Sequence, residues 1–306
     1  MKKNKVLRNI GNFLSIVAIC FITQQLWRSW SDIQTALNWK CVSVLFLFAL
    51  CIITSLTTYA ILYKKILEEM SGKAMGPECI SKYLRANLYK YLPGNVMHYV
   101  GRNEIVADGQ ASFKQLNAGS VIEILVSVIA ASAIALIFAG RYIIQYILFR
   151  WVIYGALVFS VALFIIVVLF RSKIINFLKD IITPKILRIS GRMVVIYMIW
   201  NILGNVIFVF LLQVLGCEIA PTDYFPIIGI YSGVWLIGFL TPGVPGGIGV
   251  REAMLNVLLS GLIPTWAASL AGVLMRAAQI LGELTAYVAA VFVISRYIAP
   301  RNGTNR

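Results

Sequence analysis

Runs of about 20 apolar residues recur near 10–27, 39–63, 116–139, 150–170, 192–215 and 265–295. Nothing constrains this chain more, because a hydrocarbon core about 30 Å thick is crossed by about that many residues in an α-helix. Inside lipid, each backbone N–H and C=O must be satisfied within the protein, which leaves helices or closed barrels. The continuous runs exclude the alternating pattern of a barrel strand. Only 13% of the 306 residues are charged and 60% are hydrophobic, well below and above a soluble domain's usual shares. The expected fold is all-α: a polytopic membrane helical bundle forming one domain over 1–306.

Two segments break the pattern, 80–105 and 225–262. Each carries a Pro-Gly pair followed eight residues later by an arginine, with a glutamate one or two positions on. The first copy runs from Pro93-Gly94 to Arg102 and Glu104. The second runs from Pro242-Gly243 through Gly246, Gly247 and Gly249 to Arg251 and Glu252. Broken backbone at membrane depth is tolerated where protein or a polar cavity receives it. Lys82, Arg85 and Lys90 make the first segment a shallow hairpin rather than a span. The second reads either as two half-helices or as two full crossings. The architecture is therefore six full spans plus two Pro-Gly re-entrant hairpins, or eight spans.

The net charge of +15 lies in particular loops. Basic residues cluster in the N-terminal tail, at Lys64, Lys65 and Lys73, between Arg171 and Arg192, and beyond Arg296. That asymmetry places both termini in the cytoplasm of a plasma (inner) membrane protein. Parity then requires the hairpins to enter from opposite faces, as in an inverted repeat. No nucleic-acid motif accompanies the charge, so no nucleic-acid partner is expected. The N-terminal apolar run is followed by Thr23-Gln24-Gln25 and no small-x-small cleavage site, which reads as an uncleaved helix.

Polar stripes mark the inward faces. Gly272, Arg276, Gln279, Glu283 and Tyr287 share one face of the last helix, and Asn117, Ser120, Glu123 and Ser127 share one face of another. Asn201 and Asn205 add amides on a third. Charges facing lipid are costly, so these faces should turn inward. A helix starting near Gly249 would offer N–H groups to a phosphate, with Arg251 as a bidentate grip. The alternative is that Glu123, Glu283, Arg251 and Arg276 are structural ion pairs. His98, the one histidine, and Lys90 read more simply as interfacial residues than as ligand contacts. Trp and Tyr near span ends, among them Trp39, Tyr63 and Trp266, read as an aromatic belt. Five scattered cysteines give no disulfide framework, and no metal site or cofactor is expected.

The segments Lys90–Arg102 and Pro242–Glu252 resemble the two hallmark motifs of the lysylphosphatidylglycerol synthase transmembrane, flippase-like family. That resemblance implies translocation of a lipid between leaflets. Characterised relatives move an aminoacylated phospholipid that a soluble domain makes. This chain stops at Arg306, after the last expected helix, so that synthase half is not expected. The expected function is a flippase for a phosphate-bearing lipid, either an aminoacyl-phospholipid or a lipid-linked glycan precursor. A groove of Arg102, Glu104, Glu123, Gly246, Gly247, Gly249, Arg251, Glu252, Arg276 and Glu283 would bind it, with Pro93, Gly94, Pro242 and Gly243 shaping the hairpins. The partners implied are an anionic lipid and a glycosyltransferase or lipid synthase. Two other classes stay open. One is an intramembrane lipid-modifying transferase, although no catalytic motif is present. The other is a non-transporting subunit of a surface-glycan assembly machine. Substrate, direction, coupling and oligomeric state are not encoded in these motifs.

Overall fold

In the computed structural model the described residues are 38–91, 97–107, 109–145, 183–241, 247 and 249–298. Among them every regular element is helical. The long helices are α1 (Trp39–Ser71), α5 (Phe113–Gln145), α6 (Pro184–Val214) and α9 (Thr265–Ile298). Between α1 and α5 come α2 (Glu78–Asn87), a 3₁₀ turn Leu88–Tyr91, α3 (Met97–Gly101) and α4 (Asn103–Ala107). Between α6 and α9 come α7 (Tyr224–Leu240) and α8 (Val250–Leu259).

Five helical stretches are long and apolar enough to cross a membrane: the four long helices and Pro221–Leu240. Four of the six expected spans are thereby seen as long helices. The other two, near 10–27 and 150–170, lie outside the described residues, as do Pro93, Gly94, Pro242, Gly243 and Gly246. The arms of the second hairpin are unequal. At 1.5 Å per residue, α7 is about 26 Å long and α8 about 15 Å. The stretch Pro221–Leu240 is long and apolar enough to cross a membrane, and the ten residues of α8 are too few to do so.

Helix boundaries follow local chemistry. Asn38 Oδ1 accepts from Cys41 N at 2.8 Å at the start of α1, and Gly72 closes that helix at φ 66°. Thr183 caps α6, with Pro184 as its first residue. Outward faces carry Phe46, Leu125, Ile129, Ile199, Phe210, Val288 and Phe292, exposed as lipid-facing side chains are. Small residues permit close approach inside: a Cβ on Gly229 of α7 would stand 2.6 Å from Ala139 of α5.

Polar contacts sort the helix ends into two groups. Gln115, near the start of α5, donates to Met70 O at 2.8 Å, and Lys185 at the start of α6 pairs with Glu69 at 3.0 Å. The end of α1 thus meets the starts of α5 and α6. At the other end, Tyr142 of α5 donates to Asp223, just before α7. The helix α9 is the spine between them. Ala267, Ala271, Leu274 and Met275 in its first half join the larger apolar core with Phe208, Leu211, Ile230 and Leu255. Ala286 and Ala290 in its second half join Tyr63, Cys79, Tyr83 and Leu84.

The two irregular segments reach α9 from opposite ends. Ser81 of α2 donates to Ala290 O at 3.0 Å, and Lys90 meets Glu283, so the first hairpin descends along the C-terminal half. Ser269 of α9 donates to Asn256 of α8 at 2.9 Å, and Leu255 lies against Gly272, so the second hairpin lies along the N-terminal half.

Candidate functional site

Where the two hairpins converge, a cavity of about 250 Å³ opens between α1, α2, α3, α5, α6, α7, α8 and α9. Its wall contains Glu123, Arg251, Glu252, Arg276 and Glu283 from the expected site, together with Gln279 and Ser127 from the two stripes. It also contains Lys90 and His98, which the sequence places at an interface. The volume sits just below the ~300–1,000 Å³ of ordinary ligand pockets, a size for a head group rather than a whole lipid.

Arg102 lies behind this wall, 1% exposed. Its guanidinium carbon is 4.1 Å from the centroid of the Tyr83 ring, 4.5 Å from Tyr63 and 5.1 Å from Tyr99. Both terminal nitrogens donate to Glu123, whose carboxylate also accepts from Tyr83 and Tyr197. A buried arginine is tolerable with a bidentate carboxylate and aromatic faces around it. Arg102 is thus a structural counterion to Glu123. The same geometry corrects the belt assignment of Tyr63, which is fully buried and donates to Leu116 O at 3.2 Å. Asn117, expected to face inward with Glu123, is exposed. The inward stripe begins at Ser120 instead.

Glu283 is equally engaged. Lys90 Nζ lies 2.6 Å from Oε1, Tyr91 donates to Oε2 at 3.0 Å, and Gln279 Nε2 donates to Oε1 at 2.8 Å. Glu123 and Glu283, read from the sequence alternatively as structural ion-pair partners of Arg251 and Arg276, are paired with Arg102 and Lys90. Neither partner is visible in sequence spacing.

The second hairpin delivers Arg251. The helix α8 begins at Val250, immediately after Gly249 at φ 81°, a conformation strained for any residue with a side chain. The Glu252 carboxylate accepts from Gly249 N at 2.7 Å and so occupies the N-terminus expected to receive phosphate. Gly247 and Gly249 do not line the cavity. Their contribution is to the path of Arg251. A Cβ on Gly238 would meet Arg251 Cγ and Nε at 2.5 Å, and a Cβ on Gly247 would meet Nε at 2.8 Å. The arginine stem therefore runs through a slot walled by two glycines, and its guanidinium carbon sits 5.7 Å from the centroid of Trp235. Its Nε is buried with no hydrogen-bond partner, and among the described residues no carboxylate pairs with it. Arg276 enters from α9 and lies over the Tyr91 ring at 5.6 Å. Of Glu104, the position in α4 is described.

Neutral polar groups complete the wall. Asn205 Nδ2 donates to Asn201 Oδ1 at 2.9 Å and to Ile228 O at 3.0 Å, and Ser232 donates to the same Asn201 oxygen at 2.9 Å. Asn87 Nδ2 and His98 Nδ1 are buried without a hydrogen-bond partner. Burial, then the charges of Arg102 and Lys90, hold the His98 pKa well below its ordinary value, so the imidazole is neutral. Among the described residues no group of three or more His, Cys, Asp or Glu is placed to hold a metal.

No family model matches the chain, and no curated protein matches it. Its chemistry is accordingly read from the cavity, since a helical bundle alone specifies none.

Proposed function

We propose that this chain is a lipid translocase whose cavity receives the phosphate of a membrane lipid. The observation that carries the reading is Arg251: a half-buried arginine whose stem runs through a glycine slot, whose Nε is buried without a hydrogen-bond partner, and which faces the cavity with no carboxylate paired to it among the described residues. Charge withdrawn from water without compensation is costly, and an anion beside Arg251 supplies the compensation. With Glu123 on Arg102 and Glu283 on Lys90, the guanidinium of Arg251 points to a ligand with negative charge.

In this reading both termini are cytoplasmic, and the group of helix ends at Ser71, Phe113 and Pro184 faces the cytoplasm. The hairpins are re-entrant, entering from opposite faces as halves of an inverted repeat. Their approach to α9 from opposite ends supports that arrangement. The cavity then lies near the bilayer midplane, where such repeats place substrate sites. The resemblance of Pro242–Glu252 to the flippase-like motif supports the same function. The transferase reading needs an available carboxylate base, whereas Glu123 and Glu283 are held in ion pairs and Glu252 accepts from Gly249 N at the start of α8.

The test is reconstitution of purified protein in liposomes containing labelled anionic, aminoacylated and isoprenyl-phosphate lipids, with leaflet exchange followed by quenching of the outer label. Exchange of at least one phosphate-bearing lipid above protein-free liposomes is expected. No exchange of any of them by folded protein overturns the proposal.

A further inference from the structure

We infer that the head group beside the phosphate is a sugar, so that the ligand is a glycosyl-phosphate lipid rather than one carrying an ammonium group. The inference rests on the phosphate-lipid reading above and narrows it.

An ammonium head group is best met by an open carboxylate, and the two buried carboxylates of the cavity wall are engaged on both oxygens. Glu123 accepts from Arg102, Tyr83 and Tyr197, and Glu283 accepts from Lys90, Tyr91 and Gln279. Glu252 accepts from the backbone at Gly249. Lys90, Arg251 and Arg276 face the same space and repel a further cation. The tyrosine rings of Tyr83 and Tyr99 are already occupied by Arg102, which leaves them unable to cage an ammonium.

What the wall does offer is neutral hydrogen-bonding capacity. Asn87 and His98 are each 8% exposed, line the cavity, and bury a nitrogen that no protein group meets. Buried polar atoms are nearly always satisfied, so two such nitrogens on residues that line the cavity favour a polar occupant. Asn201 also lines the cavity, and its Oδ1 is fixed by Asn205 and Ser232, which leaves its Nδ2 to donate elsewhere. Hydroxyls both donate and accept, and therefore satisfy amides and a neutral imidazole without adding charge.

An aromatic face supplies the third requirement. Trp200 forms part of the wall, whereas the Trp235 ring is taken up by Arg251 and by stacking on Phe239. A pyranose presents an apolar C–H face and a rim of hydroxyls, which match an indole face beside amide groups. A guanidinium pole, neutral donors and the indole of Trp200 in one cavity are together the recognition chemistry of a glycosyl phosphate.

The experiment measures binding by native mass spectrometry of the full chain in nanodiscs. The probes are an isoprenyl phosphate, the same isoprenyl phosphate bearing glucose, phosphatidylglycerol and its lysyl derivative. Glucose should strengthen binding about tenfold, while lysylation should leave it unchanged or weaken it. Asn87→Leu and, separately, Asn201→Leu should remove most of the glucose advantage and leave the bare phosphate within about twofold. Asn87→Leu should also be neutral or stabilising without lipid, because it removes an unpartnered buried amide. Lysylation that tightens binding, no gain from glucose, or a glucose advantage that survives both substitutions overturns the sugar assignment while leaving the phosphate reading intact. Failure of every phosphate lipid to bind, or bare-phosphate binding unchanged by Arg251→Gln, overturns both.

Discussion

Lys90 and Glu283, 193 residues apart, meet at 2.6 Å and fasten the first hairpin to the spine helix. Their side chains are 19% and 1% exposed, so the pair is largely desolvated. Removing one partner from a buried pair costs about 3–5 kcal/mol, because the other charge is left uncompensated. Lys90→Met and Glu283→Gln should each lower unfolding stability in detergent by an amount in that range. The double variant should lose clearly less than their sum. Additive losses would mean that the pair is not coupled.

Gly238 and Gly249 separate positioning from strain. A helix-interior Gly→Ala change favours the helix by about 1 kcal/mol, yet a Cβ on Gly238 would stand 2.5 Å from Arg251. Gly238→Ala should leave stability unchanged or higher while lowering translocation at least tenfold. Gly249 has open space around its Cβ direction but sits at φ 81°, so Gly249→Ala should cost about 1–2 kcal/mol of stability. Thermal unfolding and liposome exchange on both variants check the contrast.

The proposed topology puts Lys73 and Thr222 on opposite faces of the membrane. Single-cysteine variants Lys73→Cys and Thr222→Cys, in a chain otherwise free of cysteine, should react with an impermeant maleimide from opposite sides. Right-side-out vesicles should label Thr222→Cys, and inside-out vesicles Lys73→Cys. Labelling of both from one side contradicts the proposed orientation.

Cys79 gives a pH-dependent control on the packing of the first hairpin. It is fully buried against Tyr83 and Ala286, and burial pushes its thiol up to about 11. The thiolate is the reactive form, so its fraction at pH 8 is small and rises with pH. With Cys79 as the one cysteine, maleimide labelling should be slow at pH 8 in folded protein, accelerate towards pH 10, and become rapid after denaturation. Rapid labelling of folded protein at pH 8 would mean that α2 is not packed as described.

The sequence was legible where helical periodicity carries the information. Glu123, Arg276, Gln279 and Glu283 share faces by spacing alone, and all four reach the cavity wall. Partner choice was not legible, because it depends on contacts between helices far apart in the chain. Lys90 reads as an interfacial lysine until α2 is docked on α9. Tyr63 lies near a span end and looks like a belt residue, but the buried guanidinium of Arg102 draws it inward. The glycines after Pro242 suggested a phosphate nest. Glu252 fills that position, and the chemistry passes to the Arg251 side chain.

Exchange of labelled phosphate lipid by wild-type protein and by Arg251→Gln, each reconstituted at equal density and verified as folded, is the most direct test of the account. It predicts at least a tenfold slower exchange for Arg251→Gln with stability unchanged or improved, because the substitution removes a half-buried charge that no carboxylate among the described residues pairs with. Equal exchange by the two proteins would contradict Arg251 as the phosphate-receiving group.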